Sequence, residues 1–386
     1  MSTFKTLDPI EHIRQRPGMY FGGTDSRSLN HLVDELLSNV IHQIHKGTCH
    51  TFAITILDDQ TLQIRDEGEG IPVQLHQKTG RRILEIIMSQ SGGGYDAQTD
   101  TFYRALHRCG LMAVSALSED FHLEVKRDGS LWDQRYSRGQ KQTDLVAVRP
   151  LEAGEATGTS ITLKLDPEIF NDSAFDGAWI EQRLFHLGHL LNDSTIQFDD
   201  QRENGAHRKF FTPNGLVEAL RTANAEAHGL HEPVMIKETV VIEPDQRASY
   251  KIDLEVAFQF VEEEAASVLS FANAEHTSGG THVEGFLEAL LTILLRKHSN
   301  TFQRGDWPDL LKHLTAIVSI WHPTPRFKSQ TDPSLLNIDA HKTIYRAVYD
   351  QLDIFFDKNP ALLHAIIQQA AVSRSERLKR RYRSDI

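Results

Sequence analysis

Between Leu29 and Lys46, Leu32, Val33, Leu36, Leu37, Val40, Ile41 and Ile44 recur every third or fourth residue. That spacing collects apolar side chains on one helical face. Ser28 reads as the N-cap and Gly47 as the stop. From Thr51 the period changes to two. Phe52, Ile54 and Ile56 alternate with polar residues, Asp58-Asp59-Gln60 turns the chain, and Leu62 and Ile64 resume the alternation. This predicts an antiparallel hairpin. A glycine-punctuated loop, Asp66 to Pro72, precedes a helical stretch reaching about Met88. Strands are predicted at 121–127, 131–136, 144–149 and 160–165, and the sum is an α+β sandwich with helices on one sheet face. The polar stretch from Asp166 to Asp176 marks the domain boundary, giving domains 1–170 and 171–386.

The second half repeats the mixture in a different order. A helix is predicted around Trp179–Leu191, and a short one is capped by Thr212-Pro213. Long strands follow near 234–242 and 250–261, then a helix from His282 to Lys297, a strand near 314–321, and two closing helices at about 340–356 and 360–381. No internal repeat or low-complexity tract interrupts this order.

Composition narrows the class. The 386 residues are 40% hydrophobic and 24% charged, ordinary for globular protein and unlike a disordered chain. No apolar run is long enough to cross a bilayer, and no membrane partner is expected. Cys49 and Cys109 are the two cysteines. They cannot build a disulfide framework or a zinc ribbon, so a cytoplasmic location is expected. Forty-one Lys and Arg against 53 Asp and Glu give a formal charge of −12, which opposes phosphate-backbone binding by the whole surface. The basic run from Arg374 to Arg383 is read as a charged amphipathic helix, so any DNA would be met indirectly or through a complex. His31, His42, His45 and His50 have no recognisable zinc spacing. Cys109 is given a packing role.

Three groups of residues suggest chemistry. Glu35 and Asn39, four apart on the first helix, project from the same side. A carboxylate and a carboxamide so placed suit a general base and a ligand for a hard metal ion. Asp66-x-Gly68-x-Gly70 ends a strand with a carboxylate and follows it with glycines that let backbone approach a flat ligand. Gly92-Gly93-Gly94 and the helix entered near His107 form a glycine-rich approach to a helix N-terminus, a natural phosphate site.

These words stand in a recognisable order. Arg14-Gln15-Arg16-Pro17-Gly18-Met19-Tyr20, the Glu35…Asn39 helix, Asp66-Glu67-Gly68-Glu69-Gly70-Ile71-Pro72 and Thr157-Gly158-Thr159 are followed by Gly279-Gly280-Thr281-His282-Val283-Glu284-Gly285-Phe286 and Pro325-Arg326-Phe327-Lys328-Ser329-Gln330-Thr331. In this the sequence resembles the ATPase region of the bacterial DNA gyrase B protein and its topoisomerase IV counterpart, members of the GHKL ATP-binding superfamily. The resemblance implies a GHKL (Bergerat) α/β sandwich followed by a transducer domain like ribosomal protein S5, ending in long helices. It implies ATP and Mg²⁺ as cofactors, and a homodimer or a topoisomerase subunit as partner. It makes Glu35 the base that polarises water, Asn39 the Mg²⁺ ligand and Asp66 the acceptor of the adenine amine, assisted by Thr159. Gly70 and Ile71 would lie along the base, Gly110 near the phosphates, and Gln330 would reach the γ-phosphate.

The departures from that pattern change the functional expectation. The family's lid glycines are largely replaced in Arg104-Ala105-Leu106-His107-Arg108-Cys109-Gly110, where Arg108 is an alternative phosphate contact. The lysine of the family's Gln-Thr-Lys loop is Asp332, with Lys328 as a candidate substitute. His42 and Gln43 replace an acidic pair, and Glu69 replaces an arginine at the pocket rim. The family's exchanged N-terminal arm is short here, which implies weaker nucleotide-driven dimerisation. The resemblance also ends before the Toprim domain, so the chain alone is not expected to be a complete topoisomerase. Three functions follow: an ATP-binding transducer with slow or lost hydrolysis, an ordinary ATPase module of a type II DNA topoisomerase, or a non-catalytic mimic of gyrase B. The first is the leading expectation.

Overall fold

The computed structural model describes residues 8–90, 93–96, 101–104, 109–243, 249–298, 305, 307–329 and 332–384. The chain forms two compact units, Met1–Pro213 and Asn214–Ile386.

The first unit opens with α1 (Pro9–Gln15), α2 (Gly18–Phe21) and α3 (Ser26–His45). α3 starts earlier than the apolar pattern suggests, because the Asp25 side chain caps it, accepting from the Ser28 backbone N–H at 3.0 Å and the Ser28 hydroxyl at 2.8 Å. Ser28 is therefore a donor to the cap, inside the helix. The hairpin follows as β1 (Thr51–Asp58) and β2 (Thr61–Asp66), then α4 (Ile83–Ile87), β3 (Gly93–Asp96), β4 (Thr101–Arg104) and α5 (Gly110–Ala116). Only α4 realises the helical stretch expected before Met88. β5 (Ser118–Arg127), β6 (Ser130–Ser137), β7 (Gln140–Lys141), β8 (Val146–Pro150) and β9 (Gly158–Leu165) complete the predicted strands.

The unit continues through α6 (Gly177–Leu190), β10 (Thr195–Asp200) and β11 (His207–Phe210). The main sheet runs β11-β10-β1-β2-β9-β5-β6-β7, with β8 also on β6. The polar stretch Asp166–Asp176 lies within this unit, since β10 beyond it pairs in parallel with β1, Thr51 opposite Thr195. Phe52, Ile54 and Ile56 of β1, Leu62 and Ile64 of β2, and Phe121, Leu123 and Val125 of β5 are buried, as are Leu32, Leu36 and Val40 of α3. Strand alternation thus gives one face a helix cover.

Arg14 joins the first helix to this core. Its guanidinium meets the fully buried Asp166 carboxylate at 2.7 Å and the Ala116 carbonyl at 2.8 Å, and Arg138 reaches the same carboxylate at 3.0 Å. The Arg14–Tyr20 word therefore begins with a half-buried structural anchor.

The second unit starts with α7 (Gly215–Ala223), one residue beyond an Asn214 that makes no side-chain cap. The expected Thr212-Pro213 cap lies outside that helix. β12 (Val234–Ile242), β13 (Tyr250–Phe260), β14 (Ser267–Ala272) and β15 (Glu275–His276) lead to α8 (Thr281–Lys297), α9 (Trp307–Leu311) and β16 (Leu314–Trp321). The sheet order is β12-β13-β16-β14-β15. β14 and β16 are parallel, and α8 lies in the crossover between them, as parallel pairing requires. α10 (Ile338–Lys358) and α11 (Pro360–Ser384) close the unit. Its core joins Phe258, Phe260, Phe286, Leu290, Ile344 and Phe356. At the end, Arg377 pairs with the fully buried Asp309 carboxylate at 2.8 Å, so one member of the basic run serves packing. No described helix is long and apolar enough to cross a membrane.

Candidate functional site

Asp66 is the last residue of β2 and the third inward position after Leu62 and Ile64. That alternation delivers a carboxylate to the helix-covered face, where it is 6% exposed. Its Oδ1 accepts from the Gly68 N–H at 2.9 Å and the Thr159 N–H at 3.3 Å. Oδ2 takes no hydrogen bond from any described residue. Burial raises the carboxyl to about 6, the two amide bonds only partly opposing it. A buried acceptor with a vacant lone-pair site suits a ligand N–H donor.

The backbone around it is closely fitted. Gly70 has φ +75°, and a methyl there would lie 3.0 Å from the Gly158 and Lys126 carbonyls and from Val125 Cγ1. Only glycine satisfies both the dihedral and the space. The Ile71 N–H donates to Thr159 Oγ1 at 3.1 Å, and Thr157 Oγ1 donates to the Gly68 carbonyl at 2.6 Å. Thr159 therefore touches both ends of the loop, its own N–H on Asp66 and its hydroxyl on Ile71.

Glu35 and Asn39 lie on the same side of α3. Glu35 is 7% exposed. Its Oε1 accepts from the Cys109 N–H at 2.8 Å and its Oε2 from the Gly110 N–H at 3.0 Å. Gly110 has φ +77° and begins α5, so the carboxylate closes the start of that helix. Half-buried Asn39 makes no hydrogen bond to a described residue, which leaves its carboxamide oxygen available to a hard cation. Cys109 is a packing residue. Its Sγ donates to the Tyr20 carbonyl at 3.4 Å, and burial, with the Glu35 charge adding to it, pushes the thiol up to about 12.

A family model described as "Histidine kinase-, DNA gyrase B-, and HSP90-like ATPase" matches residues 24–169, and one described as "DNA gyrase B" matches residues 215–386. The DNA gyrase B protein of Haloferax volcanii is 34% identical over 98% of this chain and 61% of its own length. That of Thermotoga maritima is 32% identical over 97% of this chain and 59% of its own. The 43K ATPase domain of Thermus thermophilus gyrase B, solved with an aminocoumarin, superposes with TM-score 0.76 at 28% identity, covering 98% of this chain and 99% of that one. The chain is gyrase-B-like throughout. It spans about three-fifths of the length of these curated relatives.

Within this gyrase-B-like frame the structure brings Asp66, Gly70, Ile71 and Thr159 together around one loop and sets Glu35 against Gly110. Gln330 lies outside the described residues, as do Thr331 and the lid positions Ala105 to Arg108. Asp332 accepts from Ser278 Oγ at 2.9 Å and from the Ser334 N–H at 3.1 Å, and meets Lys328 Nζ at 2.9 Å. These contacts hold its carboxyl well below the usual range. Lys328 is thus the counter-ion of Asp332.

Gln43 Oε1 accepts from the Glu69 N–H at 3.1 Å, and a side chain at Gly68 would collide with that carboxamide. Arg127, which sequence reasoning missed, donates to the Gly70 carbonyl at 2.6 Å and the Glu69 carbonyl at 3.1 Å. The pairing of Lys126 with Gly158 brings it there. That register is a tertiary fact that no local motif announces.

Proposed function

We propose that this chain binds Mg-ATP at the Asp66 loop and converts nucleotide occupancy into a conformational signal to its transducer unit, with hydrolysis slow or lost. The observation carrying the reading is the buried Asp66 carboxylate, with one oxygen committed to backbone amides and the other awaiting a donor. An adenine amine is such a donor. Asn39 is the proposed Mg²⁺ ligand, and that ion supplies charge neutralisation to the triphosphate. Glu35 is the proposed base and Gln330, on resemblance alone, the proposed γ-phosphate contact.

Two observations favour slow turnover over ordinary ATPase activity. Both Glu35 oxygens hold backbone amides, which stabilise the carboxylate and lower its basicity toward a water proton. Lys328, the candidate replacement for the family's lysine, is engaged by Asp332. A gyrase-like subunit or a second copy of the chain is the proposed recipient of the signal, with DNA contacted through that complex.

Thermal shift with Mg-ATP tests binding, because a ligand of the native state raises its stability. The wild type is expected to shift and Asp66→Asn is not. Absence of a shift at saturating nucleotide leaves the non-catalytic mimic as the reading. Phosphate release is expected to be slow but above that of Glu35→Ala; equal rates remove Glu35 as a base.

A further inference from the structure

The outward face of the first sheet carries a cluster that nucleotide chemistry does not use. His122 and Glu124 stand two residues apart on β5, and Asp133 lies directly opposite Glu124 on β6. All three point the same way, because Phe121, Leu123 and Val125 take the inward positions. One nitrogen of His122 and one oxygen of each carboxylate lie within 4.8 Å of one another. His122 Nε2 already pairs with Asp133 Oδ2. Glu124 makes no hydrogen bond or ion pair with a described residue. Like charges directly opposed on neighbouring strands repel, and a single imidazole proton cannot satisfy both carboxylates.

We infer that His122, Glu124 and Asp133 form a binding site for a divalent transition-metal ion, zinc being the best fit. One imidazole nitrogen and two carboxylate oxygens are a donor set that zinc accepts, and three protein ligands leave a coordination position open. Magnesium and calcium prefer all-oxygen sites and make poor use of the imidazole. Two ligands at i and i+2 on one strand, with the third across the ladder, are held by the sheet backbone. A tetrahedral ion with bonds of about 2.0–2.2 Å asks the three atoms to close to roughly 3.3 Å. The His122 and Asp133 side chains are 16% and 26% exposed, so an ion can enter from solvent into a partly shielded site.

One neighbour opposes the ion. Arg135 Nη2 lies 3.3 Å from His122 Nδ1, while its Nη1 lies 3.3 Å from Asp120 Oδ2. With a metal on Nε2, Nδ1 carries the proton and two donors would face each other. Arg135 must then turn wholly to Asp120. The cations along the neighbouring edge, Lys126 and Arg149, share the single Glu155 carboxylate, and Arg149 also lies within the field of Glu124, so an ion would have to compete with that positive charge.

The test uses tag-free full-length chain, stripped with chelator and titrated calorimetrically with zinc chloride in the absence of nucleotide. Because the chain has 20 histidines, the comparison between variants decides. One tight zinc equivalent is expected in the wild type, weakened tenfold or more in His122→Asn and in Glu124→Gln, and tightened in Arg135→Gln. Cobalt should give the visible bands of a four- or five-coordinate ion in the wild type and lose them in Glu124→Gln. That variant breaks no hydrogen bond of Glu124 with a described residue and should remain folded in chelator, with a cooperative melting transition like the wild type's. Identical isotherms for the wild type, His122→Asn and Glu124→Gln would overturn the site and leave the cluster a cross-strand ion pair.

Discussion

Lys328 Nζ lies 2.9 Å from Asp332 Oδ2, so the cation nearest in sequence to Gln330 is held by the carboxylate that stands where the family has lysine. Asp332 is also stapled to Ser278 and Ser334. It therefore shapes its loop and captures the loop's positive charge at once. Replacing it with lysine restores the cation but removes the staples; asparagine keeps an oxygen for the serines and releases Lys328. Asp332→Asn is expected to raise steady-state phosphate release by on the order of tenfold, a part of the roughly 10²–10³ that one fully placed donor supplies to a transition state. Adding Lys328→Ala should cancel the gain. An unchanged rate in Asp332→Asn would show that the ion pair does not limit turnover.

Glu35 predicts a second, separable effect. Its two oxygens accept the first amides of α5, and a glutamine offers only one oxygen with an N–H₂ turned toward the other amide. Glu35→Gln is expected to cost about 1–2 kcal/mol through that unsatisfied donor. It should also speed hydrogen exchange at Cys109 and Gly110, besides removing residual hydrolysis. Exchange at those two amides equal to wild type would refute the structural part of the role.

The apolar pattern was enough to read α3, the β1–β2 hairpin and β5, β6 and β9, because each buries one face and so displays its period. It also placed Asp66, whose position follows from the alternation of Leu62 and Ile64. What stayed hidden depends on distant pairing. β10 is a short polar-flanked segment whose strand character comes from lying beside β1, and β14 becomes a strand by pairing in parallel with β16. Arg127 reaches the loop only through the β5–β9 register. The Asp25 cap escaped because Ser28, three residues later, offers an equally plausible local signal. Asp332 was legible as a charge reversal, but its neutralisation by Lys328 and two serines needed the loop's path.

Asp66 gives a pH dependence whose sign is fixed by its raised carboxyl. The ionised form is the one that accepts an adenine N–H, and burial holds the proton until about pH 6. Nucleotide affinity should therefore be level above pH 7 and fall by up to tenfold per unit below about 6, with proton release on binding near pH 5. Calorimetry in buffers of different ionisation enthalpy measures that proton. Stability runs the other way. A carboxyl raised in the folded state stabilises most at low pH and loses that contribution as pH rises through 6. Removing the charge with Asp66→Asn should thus raise the melting temperature of the nucleotide-free chain at pH 8 while abolishing its response to ATP. A lowered melting temperature would contradict the burial argument.

His282, in the Gly279–Phe286 word, is fully buried at the first turn of α8, with Nε2 3.2 Å from Thr277 Oγ1 and Nδ1 without a hydrogen-bond partner among the described residues. Burial lowers it to about 4, so the folded second unit holds it neutral while the unfolded chain protonates it near 6.5. Its contribution is complete above the unfolded value and is lost as pH falls from 6.5 towards 4. At pH 5 the loss is about 2 kcal/mol, 1.36 kcal/mol for each unit below 6.5. Denaturant unfolding of the full chain should show a second-unit transition that weakens over this window. His282→Gln, which cannot take up a proton, should flatten that dependence even if it lowers stability at pH 8 by disturbing the Thr277 contact. Equal slopes between pH 5 and 7 for the two proteins would mean that acid sensitivity in this unit arises elsewhere.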